Sequence, residues 1–218
     1  MTSPDHLSWD YFWSKEGTTR FTQVSWSKRR IIKVLKNFIR PGQKALDAGC
    51  GSGFFSKCFC DQGMTTVAVD HSERALEIAL KMTDGRCRTL KQDLLDQNAP
   101  RKIGKDFHLI FTDGLLEHFS DEDQDKIFKN FVSMLSPDGV IVTFVPNRWS
   151  PWELIRPFFM PGIDETPFIL KELLDLNQRN GLKVIQKGGV NTFPFAFSPD
   201  EVFGSSFGML LYTVAGKK

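Results

Sequence analysis

The chain has 218 residues, 41% of them hydrophobic, enough to close one sizeable core with a small appendage. Its 28 basic against 26 acidic side chains leave a net charge of +2, which gives no electrostatic case for nucleic acid or for an acidic membrane surface. No apolar stretch reaches the ~18 residues of a membrane span, and the opening MTSPDHLSWDYFW lacks the basic start and apolar run of a signal peptide.

Short runs rich in Val, Ile and Phe alternate with helical patterns, which predicts βα repeats. An N-terminal arm, about 1–24, leads into a helix over 25–39, whose basic run Lys28-Arg29-Arg30 reads as a solvated face. Strands are predicted at 44–48, 65–70, 87–92, 107–112 and 139–145, and helices at 54–62, 72–82, 121–135 and 168–180. Ser72 caps the third helix, Gly63 closes the second, and SPDG at 136–139 is a turn feeding the fifth strand. After residue 180, GLKVIQKGG and GMLLYTVAG both read as strands with no helix between them, and such a pair lies most simply antiparallel. The expected architecture is α/β and a single domain over 1–218, with five parallel strands finished by an antiparallel pair. A lid-like insertion, about 146–168, interrupts it after the fifth strand. The four cysteines lack metal-ligand spacing and read as free thiols of a cytoplasmic protein.

The stretch KALDAGCGSGFFS, residues 44–56, places a strand, an acid and three glycines directly before a helix. Glycines let the backbone approach a ligand, and the helix opens with free N–H groups. A dinucleotide-binding turn reads G-x-G-x-x-G. Here the spacing is G-x-G-x-G, and Phe54 takes the place of that third glycine. Asp47 is a poor neighbour for a pyrophosphate and a natural one for a cation, which disfavours a nicotinamide dehydrogenase.

LDAGCGSG resembles the first motif of the class I S-adenosylmethionine-dependent methyltransferases, an apolar pair followed by D/E-x-G-x-G-x-G. The likeness continues in order through VAVDHS, LKQDLLD, FHLIFTDGLLEHFSDED and LSPDGVIVTFVPN, covering roughly residues 40–148. It implies a Rossmann-like, doubly wound, seven-stranded sheet, mostly parallel with a terminal antiparallel pair. It also implies S-adenosylmethionine as methyl donor and S-adenosylhomocysteine as product. By this resemblance Asp70, with His71 beside it, holds the ribose hydroxyls, since a carboxylate accepts two hydrogen bonds from a diol. Asp93 and the Leu94 N–H meet the adenine; Asp47 and Gly49 meet the methionine portion; Gly51 and Gly53 shape the turn; Asp113 and Gly114 stand near the methionine end.

His118 is the candidate catalytic residue, placed after the fourth strand at the carboxyl edge where open α/β sheets bind ligands. A neutral imidazole there takes a proton from a hydroxyl, or orients the acceptor. LEHF also resembles the LEHV of ubiquinone-biosynthesis O-methyltransferases, in which an acid three residues before the glutamate joins the Glu-His pair on a divalent metal. Gly114 stands at that position here, so no metal site is expected. Acceptor contacts fall to Tyr11 of the aromatic arm (Trp9, Phe12 and Trp13 flank it) and to Arg148, Trp149 and Trp152 of the insertion. The same insertion carries Arg156, Phe158, Phe159, Met160 and Phe168. This composition favours a small, largely apolar acceptor, methylated at oxygen, and no nucleic-acid partner. Methylation at nitrogen or carbon, and a non-catalytic S-adenosylmethionine-binding module, are the alternatives.

Overall fold

A computed structural model describes residues 6–159 and 165–218; Met160, placed in the lid from sequence, lies outside them. Strands β1 (Lys44–Ala48), β2 (Thr65–Asp70), β3 (Arg88–Lys91), β4 (Phe107–Asp113) and β5 (Leu135–Pro146) run parallel. Strands β6 (Leu182–Val190) and β7 (Leu210–Lys217) pair antiparallel, and β7 inserts antiparallel beside β5, which gives the order β3-β2-β1-β4-β5-β7-β6. Strand order reverses between β1 and β4, so a crevice opens beyond their carboxyl ends, the ligand position of open α/β sheets.

Alternating side chains divide two cores across the sheet, as a period of two requires. Leu46 and Ala48 of β1 and Ile110 of β4 face one core, filled by Ala99 and Ile103 of α5 (Ala99–Ile103), Phe128 and Phe131 of α6 (Asp121–Met134), and Leu173 and Leu176 of α8 (Leu170–Arg179). Ala45, Leu109 and Phe111 face the other, against Ile31 and Leu35 of α2 (Trp26–Leu35) and Phe55 and Phe59 of α3 (Phe54–Asp61). Phe111 centres a ring cluster there, 4.7 Å from Phe55 and 5.7 Å from Phe59 between centroids. Helix α4 (Glu73–Met82) packs Leu76 and Ala79 against Ala68 of β2. Its N-cap is the predicted Ser72, whose hydroxyl accepts from the Ala75 N–H at 3.1 Å.

Several features differ from the sequence reading, the short helix α5 among them. The arm is helical over α1 (His6–Ser14), followed by a 3-10 segment at Glu16–Thr22. The insertion carries α7 (Trp152–Phe159). Between β6 and β7 the predicted loop contains α9 (Asp200–Phe207). DEVFGSSF is a weak helix former, but Gly204 brings the helix backbone onto Gly189 of β6: a Cβ at either would meet the other's carbonyl oxygen at about 2 Å (2.1 and 1.9 Å). Tertiary contact stabilises what propensity does not. Finally, SPDG belongs to β5 as a bulge: Leu135 pairs with Phe107 and Val140 with Leu109, so the extra residues loop out of register.

The basic run is not a solvated face. Arg30 donates to the Asn191 side chain at 2.8 Å and pairs with Asp200 at 3.2 Å. Lys28 points toward the crevice. Arg29 alone is exposed.

Candidate functional site

Strand β1 passes directly into the glycine turn, where Gly49, Gly51 and Gly53 hold φ of 72°, 49° and 72°. That left-handed region costs an ordinary L-residue ~1–2 kcal/mol. The turn hangs from the end of β2, with the Gly49 and Cys50 N–H groups donating to the Val69 carbonyl at 2.8 and 3.0 Å. Each glycine also answers to a neighbour. A Cβ at Gly51 would stand 2.6 Å from the Trp13 ring of the arm, and one at Gly53 would stand 2.5 Å from the Ala79 Cα of α4. The third glycine therefore closes α3 onto α4, while Phe54 turns into the core.

Asp70, the last residue of β2, accepts from the Gly51 N–H through Oδ2 and from the Ser72 N–H through Oδ1, both at 2.9 Å. It ties the turn to the start of α4. Burial raises its carboxyl above the usual range, and the N–H bonds from Ser72, Gly51 and His71 pull it back. Asp47 is buried and accepts from the Ser56 hydroxyl at 2.5 Å. Burial pushes it up to about 7 despite the Ser56 bonds, with Asp70 adding repulsion. Asp113, at the end of β4, is pushed by burial and by Asp47 to about 7, and Lys28 draws it back. Lys28 in turn is lowered by burial to about 8, against the pull of Asp113. Its ammonium donates to the Gln23 carbonyl at 2.9 Å, also to that of Phe21, and lies 4.1 Å from the centroid of the Phe54 ring.

These groups open on one cavity of ≈ 470 Å³, within the range of small-molecule sites. Asp47, Gly49, Gly51, Asp70, His71, Asp93, Leu94, Asp113, Gly114 and His118 all line it, and Gly53 sits behind the turn. Asp93 accepts from the Leu95 N–H at 2.9 Å, which fixes the loop after β3 at the cavity edge. Of the proposed acceptor contacts, Trp152 lines the cavity, as does Arg156. Tyr11, Trp149 and Arg148 stand elsewhere. Tyr11 is on the outer face of α1, 66% exposed under the Lys15 ammonium, and α1 turns Trp9, Phe12 and Trp13 inward instead. Trp149 is 65% exposed. Arg148 staples the two ends of the insertion, donating to the Pro167 carbonyl at 3.1 and 2.9 Å and pairing with Glu172 at 2.9 Å. Lys28, Glu117, Phe119, Glu165 and Met209 complete the wall. Sequence reasoning missed Lys28 and Glu165, because only tertiary packing brings α2 and the end of the insertion to this crevice.

Residues 45–139, from β1 into the bulge of β5, match the family described as "Methyltransferase domain". The stretch that carries the glycine turn, Asp70 and Asp93 is thus similar to a methyltransferase domain. Over 163 residues the chain is 27% identical to a ubiquinone biosynthesis O-methyltransferase of Bartonella bacilliformis, covering 70% of this chain and 65% of that protein. The match thus spans just under two thirds of the relative's length. Among solved structures, the N-methyltransferase NodS of Bradyrhizobium japonicum, in complex with S-adenosylhomocysteine, superposes with a TM-score of 0.70 at 16% identity over 96% of each chain. Magnesium protoporphyrin IX methyltransferase of Synechocystis does so with a TM-score of 0.70 at 14% identity, over 99% of this chain and 100% of its own. Both share the fold. Among the described residues, no helix is long and apolar enough to cross a membrane.

Proposed function

We propose that this chain is a class I S-adenosylmethionine-dependent methyltransferase, which moves a methyl group from S-adenosylmethionine to an oxygen of a small, largely apolar acceptor. The observation that carries the reading is the continuity of the cavity: acids and glycine backbone line one end, and Trp9, Phe12, Phe119, Trp152 and Met209 contribute the apolar wall. The residues suit the cofactor. A carboxylate offers about four lone-pair positions, and the two backbone N–H bonds to Asp70 leave room for a ribose diol. Asp47 and Asp113 together offset the methionine ammonium, and Lys28 is the cation that faces its carboxylate. When bound, S-adenosylmethionine supplies an electrophilic methyl group on a sulfonium.

The chain's own work is alignment and exclusion of water, which dominate such a displacement. Trp9, Phe12 and Trp13 of α1 and Trp152 and Arg156 of α7 line the cavity. His118, perpendicular to Trp9 at 4.9 Å between ring centroids, contributes the contact to the acceptor oxygen. The O-methyltransferase relative supports oxygen as the target. Incubation with methyl-labelled S-adenosylmethionine and a panel of phenols, carboxylates and amines tests the reading: label is expected on an aromatic or aliphatic oxygen, and labelled amines alone would replace it with N-methylation. His118→Ala is expected to lower turnover at least tenfold while leaving S-adenosylhomocysteine affinity unchanged. Activity within a factor of a few of wild type would remove His118 from the acceptor contact.

Cofactor affinity is also expected to depend on pH. Asp47 and Asp113 lie near 7 without ligand, and the ammonium of the cofactor favours their ionised forms. Binding then releases protons below pH 7, so affinity falls as the solution is acidified, by up to about tenfold per pH unit for each proton released. Calorimetry at pH 5.5 and 7.5 checks this, and equal affinities at the two values contradict the assignment.

A further inference from the structure

We propose that Asp10 is a positioning residue for His118: its grip on the start of α4 fixes the turn of α1 that carries Trp9, and Trp9 sets the imidazole at the acceptor end of the cavity. Only the acceptor contact of His118 rests on the proposed function. Helix α1 has nine residues, and an isolated helix of fewer than ~12–15 residues is marginal in water. Its place over the cavity is therefore set by what it touches.

Asp10 supplies a directed contact. Its Oδ1 accepts from the Ser72 hydroxyl, and from the Arg74 N–H at 3.3 Å. Those groups open α4, where the helix dipole favours a carboxylate. The Ser72 hydroxyl also accepts from the Ala75 N–H at 3.1 Å, and its single proton is committed to Asp10. Ser72 is buried, and its N–H donates to Asp70 at 2.9 Å. One buried residue thus joins the arm to the acid at the end of β2. The Asp10 carboxyl is held below the usual range, foremost by the Ser72 hydroxyl against the cost of burial, then by the Arg74 N–H, Lys91 and the Glu73 N–H.

The helix carries that constraint across the cavity. Trp9, Phe12 and Trp13 stand at i, i+3 and i+4, which puts them on one face, and all three line the cavity. Trp13 lies over Gly51, and Trp9 meets His118 edge to face at 4.9 Å between centroids and 76° between planes. The backbone about His118 is held separately. Its N–H donates to the Leu115 carbonyl at 3.3 Å, and the Gln124 amide donates to the carbonyls of Leu116 and Phe119 at 3.2 and 3.0 Å. Those bonds leave the rotation of the ring to side-chain contacts, because the outer torsion of histidine is broad. Trp9 acts on the ring itself, in a geometry that aromatic pairs favour. A shift of α1 therefore moves the imidazole and not the turn that carries it.

Proton NMR of the full chain at about pH 8.5, some two units above an ordinary imidazole pKa, tests the coupling without cofactor or acceptor. The His118 ring signal is identified among the four histidines by its loss in His118→Ala. It is expected to carry a ring-current displacement that Trp9→Leu removes and that Asp10→Ala largely removes. Asp10→Asn keeps an oxygen that accepts from Ser72 and Arg74, and is expected to keep the wild-type signal. An unchanged signal from His108, on β4, reports that each variant is folded. With an acceptor found by methyl labelling, turnover is expected to fall at least about tenfold in Asp10→Ala, as for loss of a hydrogen bond to a charged group, and to stay within about threefold in Asp10→Asn. A His118 signal that holds its wild-type position in folded Asp10→Ala or Trp9→Leu would overturn the proposal. Absence of methyl transfer to every acceptor would instead count against the proposed function, and the NMR result would still decide the role of Asp10.

Discussion

Asp70→Ala is expected to weaken S-adenosylhomocysteine binding by about 1.5–3 kcal/mol, the range for hydrogen bonds to a charged group, or about 10–150-fold. The side chain acts twice. It holds the glycine turn through the Gly51 and Ser72 N–H groups at 2.9 Å, and in the proposed function its remaining lone pairs meet the ribose. The substitution therefore removes the ligand contact and also frees two N–H groups that shape the cradle. Calorimetry reads the affinity, and circular dichroism confirms the fold. Unchanged affinity would place the ribose elsewhere.

The second large effect concerns folding. At Gly53, φ of 72° and an Ala79 Cα only 2.5 Å from the site of a Cβ mean that no side chain fits without moving α3 from α4. Gly53→Val combines left-handed strain of ~1–2 kcal/mol with overpacking of ~1–3 kcal/mol. Their sum, about 2–5 kcal/mol, lowers the melting temperature by about 4–20 °C in a chain of this size. Gly63→Ala serves as the comparison: it shares a φ of 80°, but its Cβ would be no closer than 3.4 Å to Pro41, so it carries the backbone strain alone. Equal melting temperatures for the two variants would show that the close approach of α3 to α4 contributes nothing.

The parts of the site that sequence made legible are local ones. Asp47, the glycines and Asp70 sit at strand ends, and a strand followed by glycines and a capped helix has a distinctive pattern whatever surrounds it. The sheet was equally readable, because apolar strands of period two alternate with helical runs. Lys28 was read as solvated because nothing local distinguishes it from Arg29; only the packing of Ile31 and Leu35 against the sheet turns one cation inward and leaves the other exposed. Tyr11 misled for the converse reason, since four aromatics in five positions give no sign of which side of α1 will be covered. Helix α9 depends on Gly204 meeting Gly189, and Glu165 reaches Glu117 through one backbone hydrogen bond. Both are long-range facts.

Whether the acid-led glycine turn holds a methionine-bearing nucleoside is decided by a crystal structure of the complex with S-adenosylhomocysteine. The expected density puts ribose hydroxyls on the Asp70 carboxylate, adenine between Asp93 and the Leu94 N–H, and the amino group toward Asp47. Density for the ligand outside this turn, or the turn closed by the Trp13 ring with the ligand bound elsewhere, would contradict it.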